Sequence, residues 1–381
     1  MKAVGIVVEY NPLHFGHLHH IQEAKKKTDA DIMIAVMSGN VVQRGNFSIV
    51  DKFEKTKWAL RSGIDLVIEL PSVFVLQSAD VFALTSVSLL NHLRISQLVF
   101  GSETGIVEPL KDIAKIMRDD DYNARVKYYM NQGYSYPNSC DLALKEYNQS
   151  NTHAHPNNIL GIQYIQAIND LNATIEPFAI KRIQSDYHDD LKPNQVIQSA
   201  TAIRACIAQN KAYKHFVPNP VYETLKDYPC VDIEHYHDTI QALIATHSQK
   251  TLERIFSFDE GFENRVLKTE KTDSVKALVE QLKTPRYTHA KIYRSIMHML
   301  LNIEKDLMTS KEVPYIRVLG MNSVGQNYLS SIKKDLTIPL ITKIKNDRHA
   351  YLNKELNISK LYDLCTNRNL FLREFEPVII F

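Results

Sequence analysis

Cysteine, tryptophan, glycine and long apolar runs are all scarce in this 381-residue chain, and each scarcity excludes a class of protein. The four cysteines, Cys140, Cys206, Cys230 and Cys365, lie far apart, with neither disulfide nor metal spacing. They read as reduced thiols of a cytoplasmic protein. Twelve glycines and 14 prolines are too few for a fibrous or low-complexity chain. A membrane-spanning helix needs about 20 apolar residues, and stretches such as Asp65–Leu76 are cut by Glu69 and Pro71. The opening run MKAVGIVVEYNP ends its apolar stretch at Glu9 and reads as a first strand, not as a signal peptide. What remains is an ordinary globular composition, 44% hydrophobic and 23% charged, long enough for two or three domains.

The formal net charge of +2 selects no partner, but its distribution is uneven. Between Lys283 and Arg373 there are 16 Lys/Arg and seven Asp/Glu, so the remainder of the chain is net acidic. Such asymmetry fits either a solvated basic face or a surface that meets a polyanion.

Short Val/Ile-rich runs alternate with helical patterns through the first half. Strands are expected at Lys2–Glu9, Asp31–Met37, Asp65–Leu70, Gln97–Gly101 and Ile175–Ile183. Helices are expected at His17–Lys27, Asp51–Ser62, Ser78–Leu93, Asn158–Asn169 and Thr201–Gln209, with helical decoration over Arg118–Asn151. This is the pattern of βαβ units and a parallel sheet. The fold class is therefore α/β: residues 1–210 as a Rossmann-like domain, and 211–381 as a mainly α-helical, basic C-terminal region. The Pro-rich segment Val217–Pro229 marks the boundary, and a late strand–helix–strand unit is expected over Tyr315–Gly320, Gly325–Lys333 and Ile338–Ile344.

The first strand runs into VVEYNPLHFGHLHH, Val7–His20. Asn11-Pro12 breaks the strand and a helix begins near His17. The carboxyl edge of a strand in an open α/β sheet is where ligands bind, and a helix N-terminus there presents free N–H groups to phosphates. Gly16 allows close backbone approach, and His14 and His17 can donate hydrogen bonds to phosphoryl oxygens as these gain charge. A metal site among His14, His17, His19 and His20 is the weaker reading. No Cys, Asp or Glu stands among them, and neighbouring helical histidines point apart.

His-X-Gly-His after a first strand resembles the signature of the nucleotidylyltransferase superfamily. A second signature of that superfamily resembles IQSATAIR, Ile197–Arg204. In it, Ser199 and Thr201 either cap a helix or bind phosphate, and Arg204 can neutralise a triphosphate. Longer strings resemble the bacterial tRNA(Met) cytidine acetate ligase family across nearly the whole chain. They are GIVVEYNPLHFGHLHH, MSGNVVQRG (Met37–Gly45), DLVIELP (Asp65–Pro71), FGSE (Phe100–Glu103), PNNILGIQYI (Pro156–Ile165), KRIQSDYHD (Lys181–Asp189), SATAIR and YIRVLGMN (Tyr315–Asn322). Phe15 and the insertion-like NQSNTHAH (Asn148–His155) depart from the family pattern without removing a catalytic candidate.

The resemblance implies an ATP-dependent ligase that makes acetyl-adenylate and passes the acetyl group to the wobble cytidine of elongator tRNA(Met). Its catalytic residues would be His14, His17 and Arg204. ATP would be held by Val7, Val8, Glu9, Tyr10, Asn11, Pro12, Leu13, His14, Phe15, Gly16, His17, Leu18, His19 and His20, with Gly101, Asn157, Arg182, Ile183, Ser199 and Thr201. Mg²⁺ would accompany ATP without a dedicated protein cage. From the residues alone, Gly101 is equally a turn glycine, Asn157 a helix cap and Arg182 a surface charge. Gln43 and Arg44 face either acetate or the cytidine, or are solvated loop residues. Lys52 and Lys55 read as an exposed helix face. In KTPRYTHAKIYR (Lys283–Arg294), the cations Lys283, Arg286, Lys291 and Arg294 would contact RNA phosphates while Tyr287 and Tyr293 stack on bases, the alternative being an amphipathic helix with core aromatics. Two other functions use the same ATP signatures: a small-molecule adenylyltransferase, and a non-catalytic RNA-binding protein with a relic nucleotide fold.

Overall fold

The computed structural model describes residues 1–147, 156–182, 197–345 and 348–381. Ile183, the segment 148–155 and most of the 181–189 string lie outside the described residues. Among the described residues the strands are β1 (Ala3–Val8), β2 (Ile32–Ser38), β3 (Val41–Val42), β4 (Asn46–Phe47), β5 (Leu66–Leu70), β6 (Gln97–Ser102), β7 (Glu176–Lys181), β8 (Ile316–Met321), β9 (Leu340–Ile341) and β10 (Ile379–Ile380). β3 and β4 pair as a small hairpin. The rest form one sheet in the order β10-β8-β5-β2-β1-β6-β7, with β9 also beside β8.

The sheet is parallel from β5 to β7 because helices make the crossovers. Phe15–Thr28 joins β1 to β2, Ala79–His92 joins β5 to β6, and Pro156–Asp170 precedes β7. Helices on both faces bury the strands, and β2, IMIAVMS, is buried at every position. The chain moves outward from β1 through β2 to β5, then returns to lay β6 and β7 on the other side of β1. Strand order thus reverses between β1 and β6, the place where such sheets leave a crevice at their carboxyl ends.

The sheet does not stop at residue 210. The late strand–helix–strand unit is present as Ile316–Met321, Ser323–Ile332 and Leu340–Ile341, and its first strand pairs antiparallel with β5, Glu69 opposite Arg317. The Pro-rich stretch is no free linker. Pro220 starts the helix Asn219–Leu225, which packs back on the first half. There Trp58 Nε1 donates to Thr224 Oγ1 at 3.2 Å, and Tyr228 Oη donates to Asp51 Oδ2 at 2.7 Å. The intervening region is helical as read, with helices including His237–Thr246, Val275–Leu282 and His289–Leu300.

Lys52 and Lys55 overturn the expectation of an exposed face. Both are fully buried on the helix Lys52–Arg61. Lys52 Nζ lies 2.6 Å from Glu69 Oε1 and 2.8 Å from Glu374 Oε1, and Arg317 Nη1 donates to Glu69 Oε2 at 2.7 Å. Arg317 also pairs with Glu374, and Glu355 accepts from the Ser72 backbone N–H at 2.6 Å. Burial pushes the Glu355 carboxyl up to about 8, assisted by Glu69. The cluster thus sets two cations, Lys52 and Arg317, against Glu69 and Glu374, with the Glu355 carboxyl beside them. Buried charges persist only when matched in this way.

Candidate active site

The turn after β1 is fixed by polar contacts of its own side chains. His14 caps the helix Phe15–Thr28: its Nδ1 accepts the Gly16 N–H at 3.1 Å, while the His14 N–H donates to His17 Nδ1 at 3.2 Å. A Cβ on Gly16 would stand 2.9 Å from His14 Cε1, so only glycine lets the ring fold back over the helix start. The two imidazoles stack with centroids 3.9 Å apart, and Tyr10 meets His17 edge-on at 5.1 Å.

These contacts set the protonation of both rings. Each Nδ1 is an acceptor, so each neutral imidazole carries its proton on Nε2. Burial pushes His14 down to about 3, with Arg182 and Arg204 acting in the same direction. Burial also holds His17 well below its ordinary value, as do His14 and Arg182, and burial pushes His20 down to about 4. His20 Nε2 is buried without a hydrogen-bond partner among the described residues.

Around this turn lies a cavity of about 1090 Å³. Val7, Val8, Glu9, Tyr10, Asn11, His14, Gly16, His17, His19 and His20 line it, together with Gly101, Asn157, Arg182, Ser199, Thr201 and Arg204. Pro12, Leu13, Phe15 and Leu18 do not line it, and Leu13 is wholly buried in the core.

Two arginines enter from separate elements. Arg182 follows β7; its Nη1 donates to Asn157 Oδ1 at 2.7 Å, and Asn157 Nδ2 donates to Glu103 Oε1 at 2.9 Å. Gly101 keeps its backbone bare beside it: a Cβ there would lie 3.2 Å from Arg182 Cγ. Arg204 sits on the helix Ala200–Ala208. It donates to the Asn11 carbonyl at 2.7 Å and to Thr201 Oγ1 at 3.2 Å, while Ser199 Oγ caps the helix by accepting the Ala202 N–H. Two guanidiniums, two helix N-termini and neutral imidazole donors thus line one space, and each of these groups favours an anion.

Lys55 holds the strand ends that carry this turn. Its Nζ donates to the carbonyls of Glu9 at 2.9 Å and of Ser38 and Gly39 at 2.7 Å each. Tyr10, next in sequence, takes φ 49°, a left-handed backbone that a bulky residue adopts only when its surroundings impose it. Burial pushes Lys55 down to about 7 against the pull of Glu9, Asp51 and Glu69. Three carbonyl acceptors require three N–H donors, so the geometry is that of the ammonium. The sequence held one clue to these buried lysines: Glu69 stands alone among apolar residues in β5 and needs a buried cation.

Gln43 and Arg44 line the cavity. The Gln43 N–H donates to Glu9 Oε1 at 2.7 Å and its side-chain amide to the Gln77 carbonyl at 3.0 Å. Of the four expected RNA-contacting cations, Arg294 lines the cavity, as does Tyr293, whereas Lys283 and Arg286 are exposed outside it and Lys291 is half-buried. Tyr287 is a core residue, not a stacking platform. It is buried against Phe262, and its hydroxyl lies 3.3 and 3.2 Å from the carbonyls of Asp259 and Glu260. The C-terminal charge excess is also partly spent inside the fold. Arg317 is in the buried cluster, and Arg368 and Arg373 stand over Asp51 and Glu54.

The family pattern of the HIGH nucleotidyl transferases matches residues 1–375. The chain is 38% identical to the tRNA(Met) cytidine acetate ligase of Bacillus velezensis, over 98% of this chain and 95% of that one. It is 39% identical to the tRNA(Met) cytidine acetate ligase of Bacillus subtilis, over 96% and 92%. The fold superposes on the crystal structure of Thermotoga maritima TmcAL bound with alpha-thio ATP at a TM-score of 0.90, with 27% identity over 100% of this chain and 99% of that one. The chain belongs to the HIGH nucleotidyl transferases and, within them, to the family of tRNA(Met) cytidine acetate ligases.

Proposed function

We propose that this chain is an ATP-dependent acetate ligase that acetylates the exocyclic N4 amine of the wobble cytidine in elongator tRNA(Met). The observation that carries the reading is the single cavity that gathers the His-X-Gly-His turn, Arg182 and Arg204 in a chain so similar to ligases of that name. In the first step an acetate oxygen attacks the α-phosphorus of ATP. The bond from that phosphorus to the bridging oxygen breaks, and its electron pair leaves with pyrophosphate. Arg182, Arg204 and the helix N-termini hold the phosphates. The Nε2–H groups of His14 and His17 donate to phosphoryl oxygens, and these bonds strengthen as negative charge builds. In the second step the cytidine N4 attacks the acetyl carbon, the acyl C–O bond breaks with its electron pair leaving on AMP, and one N4 proton passes to solvent. Adenylation is needed because carboxylate carbon is a poor electrophile and an aromatic amine a weak nucleophile.

Magnesium entering with ATP would be carried by the phosphates. Among the described residues, no group of three or more His, Cys, Asp and Glu side chains is placed to hold a metal, and no step is assigned to it. No helix among the described residues is long and apolar enough to cross a membrane. The basic segment from Lys283 adjoins the cavity through Arg294, which supports a polyanionic second substrate over a small metabolite.

The test is incubation with ATP, labelled acetate and total bacterial tRNA, followed by digestion to nucleosides. Labelled N4-acetylcytidine from elongator tRNA(Met) is the expected product. Acetate-dependent pyrophosphate exchange without any nucleoside product would leave an adenylating enzyme with another acceptor.

A further inference from the structure

The cavity has a second wall, from a later part of the chain than the nucleotide cradle, that brings one cation, Arg294, with Asp80 also lining the space. This wall is made by the helix His289–Leu300, whose first turn (Thr288, His289, Ala290) and whose Tyr293 and Arg294 all line the space. This helix is held tightly. Gly45, at φ 83°, packs so closely that a Cβ would lie 2.4 Å from the Arg294 backbone nitrogen. His298 Nε2 is 2.9 Å from the Leu76 carbonyl, and Ser257 Oγ is 2.9 Å from both Ser295 Oγ and His298 Nδ1.

On this rigid support the Arg294 guanidinium makes no hydrogen bond or ion pair among the described residues. Burial pushes its pKa down to about 10, and Asp80 is the acid whose field opposes that. Asp80 is itself exposed and 4.0 Å from Lys311. A half-buried cation without a bonded counter-ion is placed to gain when a ligand supplies the anion.

The identity of that anion follows from the layout. The triphosphate is matched by Arg182, Arg204 and the N-termini of the helices Phe15–Thr28 and Ala200–Ala208. Acetate must touch the α-phosphorus and so lies against the same cradle. A cavity of about 1090 Å³ exceeds the roughly 300–1000 Å³ that usually holds one small ligand, so a second large group has room. Nearby in the chain, Lys291 stands one turn earlier on the helix with its ammonium 4.8 Å from the Tyr287 ring, and Arg286 and Lys283 are exposed outside the cavity. Arg265 pins that lead-in by donating to the carbonyls of Leu282, Gln281 and Lys283 at 2.9, 3.1 and 3.3 Å. An anion that extends from inside the cavity to the outside is a polynucleotide strand.

We propose that Arg294 grips the phosphodiester next to the reacting cytidine, with the base lodged beside Tyr293, while Lys283 and Arg286 bind the strand outside. The assignment rests on the ligase reading above. It separates one positioning residue from outer affinity residues. Arg294 sets where the cytidine sits, and the outer pair sets how tightly tRNA is held.

Two half-reactions test this in the full chain: acetate-dependent pyrophosphate exchange without tRNA, and acetyl transfer at saturating tRNA. Arg294→Met is expected to lower the kcat of transfer by on the order of 100-fold more than it lowers exchange, with Arg294→Lys intermediate. Lys283→Ala/Arg286→Ala is expected to raise the KM for tRNA more than it changes kcat. Thermal unfolding of each variant reports its folding, and if Arg294→Met fails to fold, Arg294→Lys carries the comparison. Equal losses in both half-reactions would place Arg294 with ATP or acetate and overturn the assignment, as would transfer at the wild-type rate. If the wild-type chain exchanges pyrophosphate but acetylates no tRNA, the ligase reading fails instead, independently of Arg294.

Discussion

A histidine that must donate a hydrogen bond is useful only while the correct nitrogen holds its proton. His14 and His17 secure this by spending their Nδ1 lone pairs on backbone N–H groups of their own turn. His14→Ala and His17→Ala are each expected to reduce acetate-dependent pyrophosphate exchange by about 10²–10³. Exchange near the wild-type rate in both would remove the pair from the mechanism. The same burial makes a statement about acid. With folded values of about 3 for His14 and about 4 for His20, the native state refuses protons that the unfolded chain takes up below about 6.5. Stability from these rings is complete above that value and is lost as pH falls towards the folded values. At pH 5 the loss is on the order of 2 kcal/mol per ring. Urea midpoints measured from pH 7 to pH 5 should fall, and the fall should shrink in His20→Gln. An unchanged slope in that variant would mean that other groups carry it.

Elements differ in how far their sequence announces them. β1, the His-X-Gly-His turn and the following helix are legible because the signals that announce them are local: the strand run, the Asn11-Pro12 break, the paired histidines and their contacts within the turn. The helix Lys52–Arg61 is illegible by the same rule. Its lysines look solvated until their acceptors are known, and those come from Glu9, Ser38, Glu69 and Glu374. Tyr287 misleads for a related reason, since its buried environment is supplied by Phe262 and the Asp259–Glu260 turn. Lys55 is the position where this blindness matters most for function. Lys55→Met leaves the Glu9, Ser38 and Gly39 carbonyls without their donor, so kcat for exchange should fall by at least 10-fold while the far-UV spectrum stays native. A variant with wild-type kcat would show that the turn holds itself.

At the scale of the molecule, one sheet joins the two ends of the sequence. β8 covers the outer edge of β5, and Arg317 and Glu374 complete the ion cluster begun by Lys52 and Glu69. The C-terminal strand unit was readable as strand–helix–strand, but its antiparallel docking on β5 was not, because such pairing is set by contacts far apart in sequence. A fragment of residues 1–210 retains Lys52 with one carboxylate in place of two and leaves the β5 edge open. Removing a partner from a buried ion group typically costs about 3–5 kcal/mol. Such a fragment is expected to aggregate or stay unfolded on size-exclusion chromatography and circular dichroism. A monomeric fragment with cooperative melting would show that the first half stands alone.

The covered edge of β5 also has a history within each molecule. On the ribosome, β5 is finished long before β8 exists, and at about 5–20 residues per second the gap between Leu70 and Ile316 lasts on the order of 10–50 s. For that time an apolar strand with unpaired backbone groups is exposed to neighbouring nascent chains. Synthesis of this protein should therefore lean on chaperones early, and slowing translation between the two strands should lower the yield of soluble product more than slowing it after Met321.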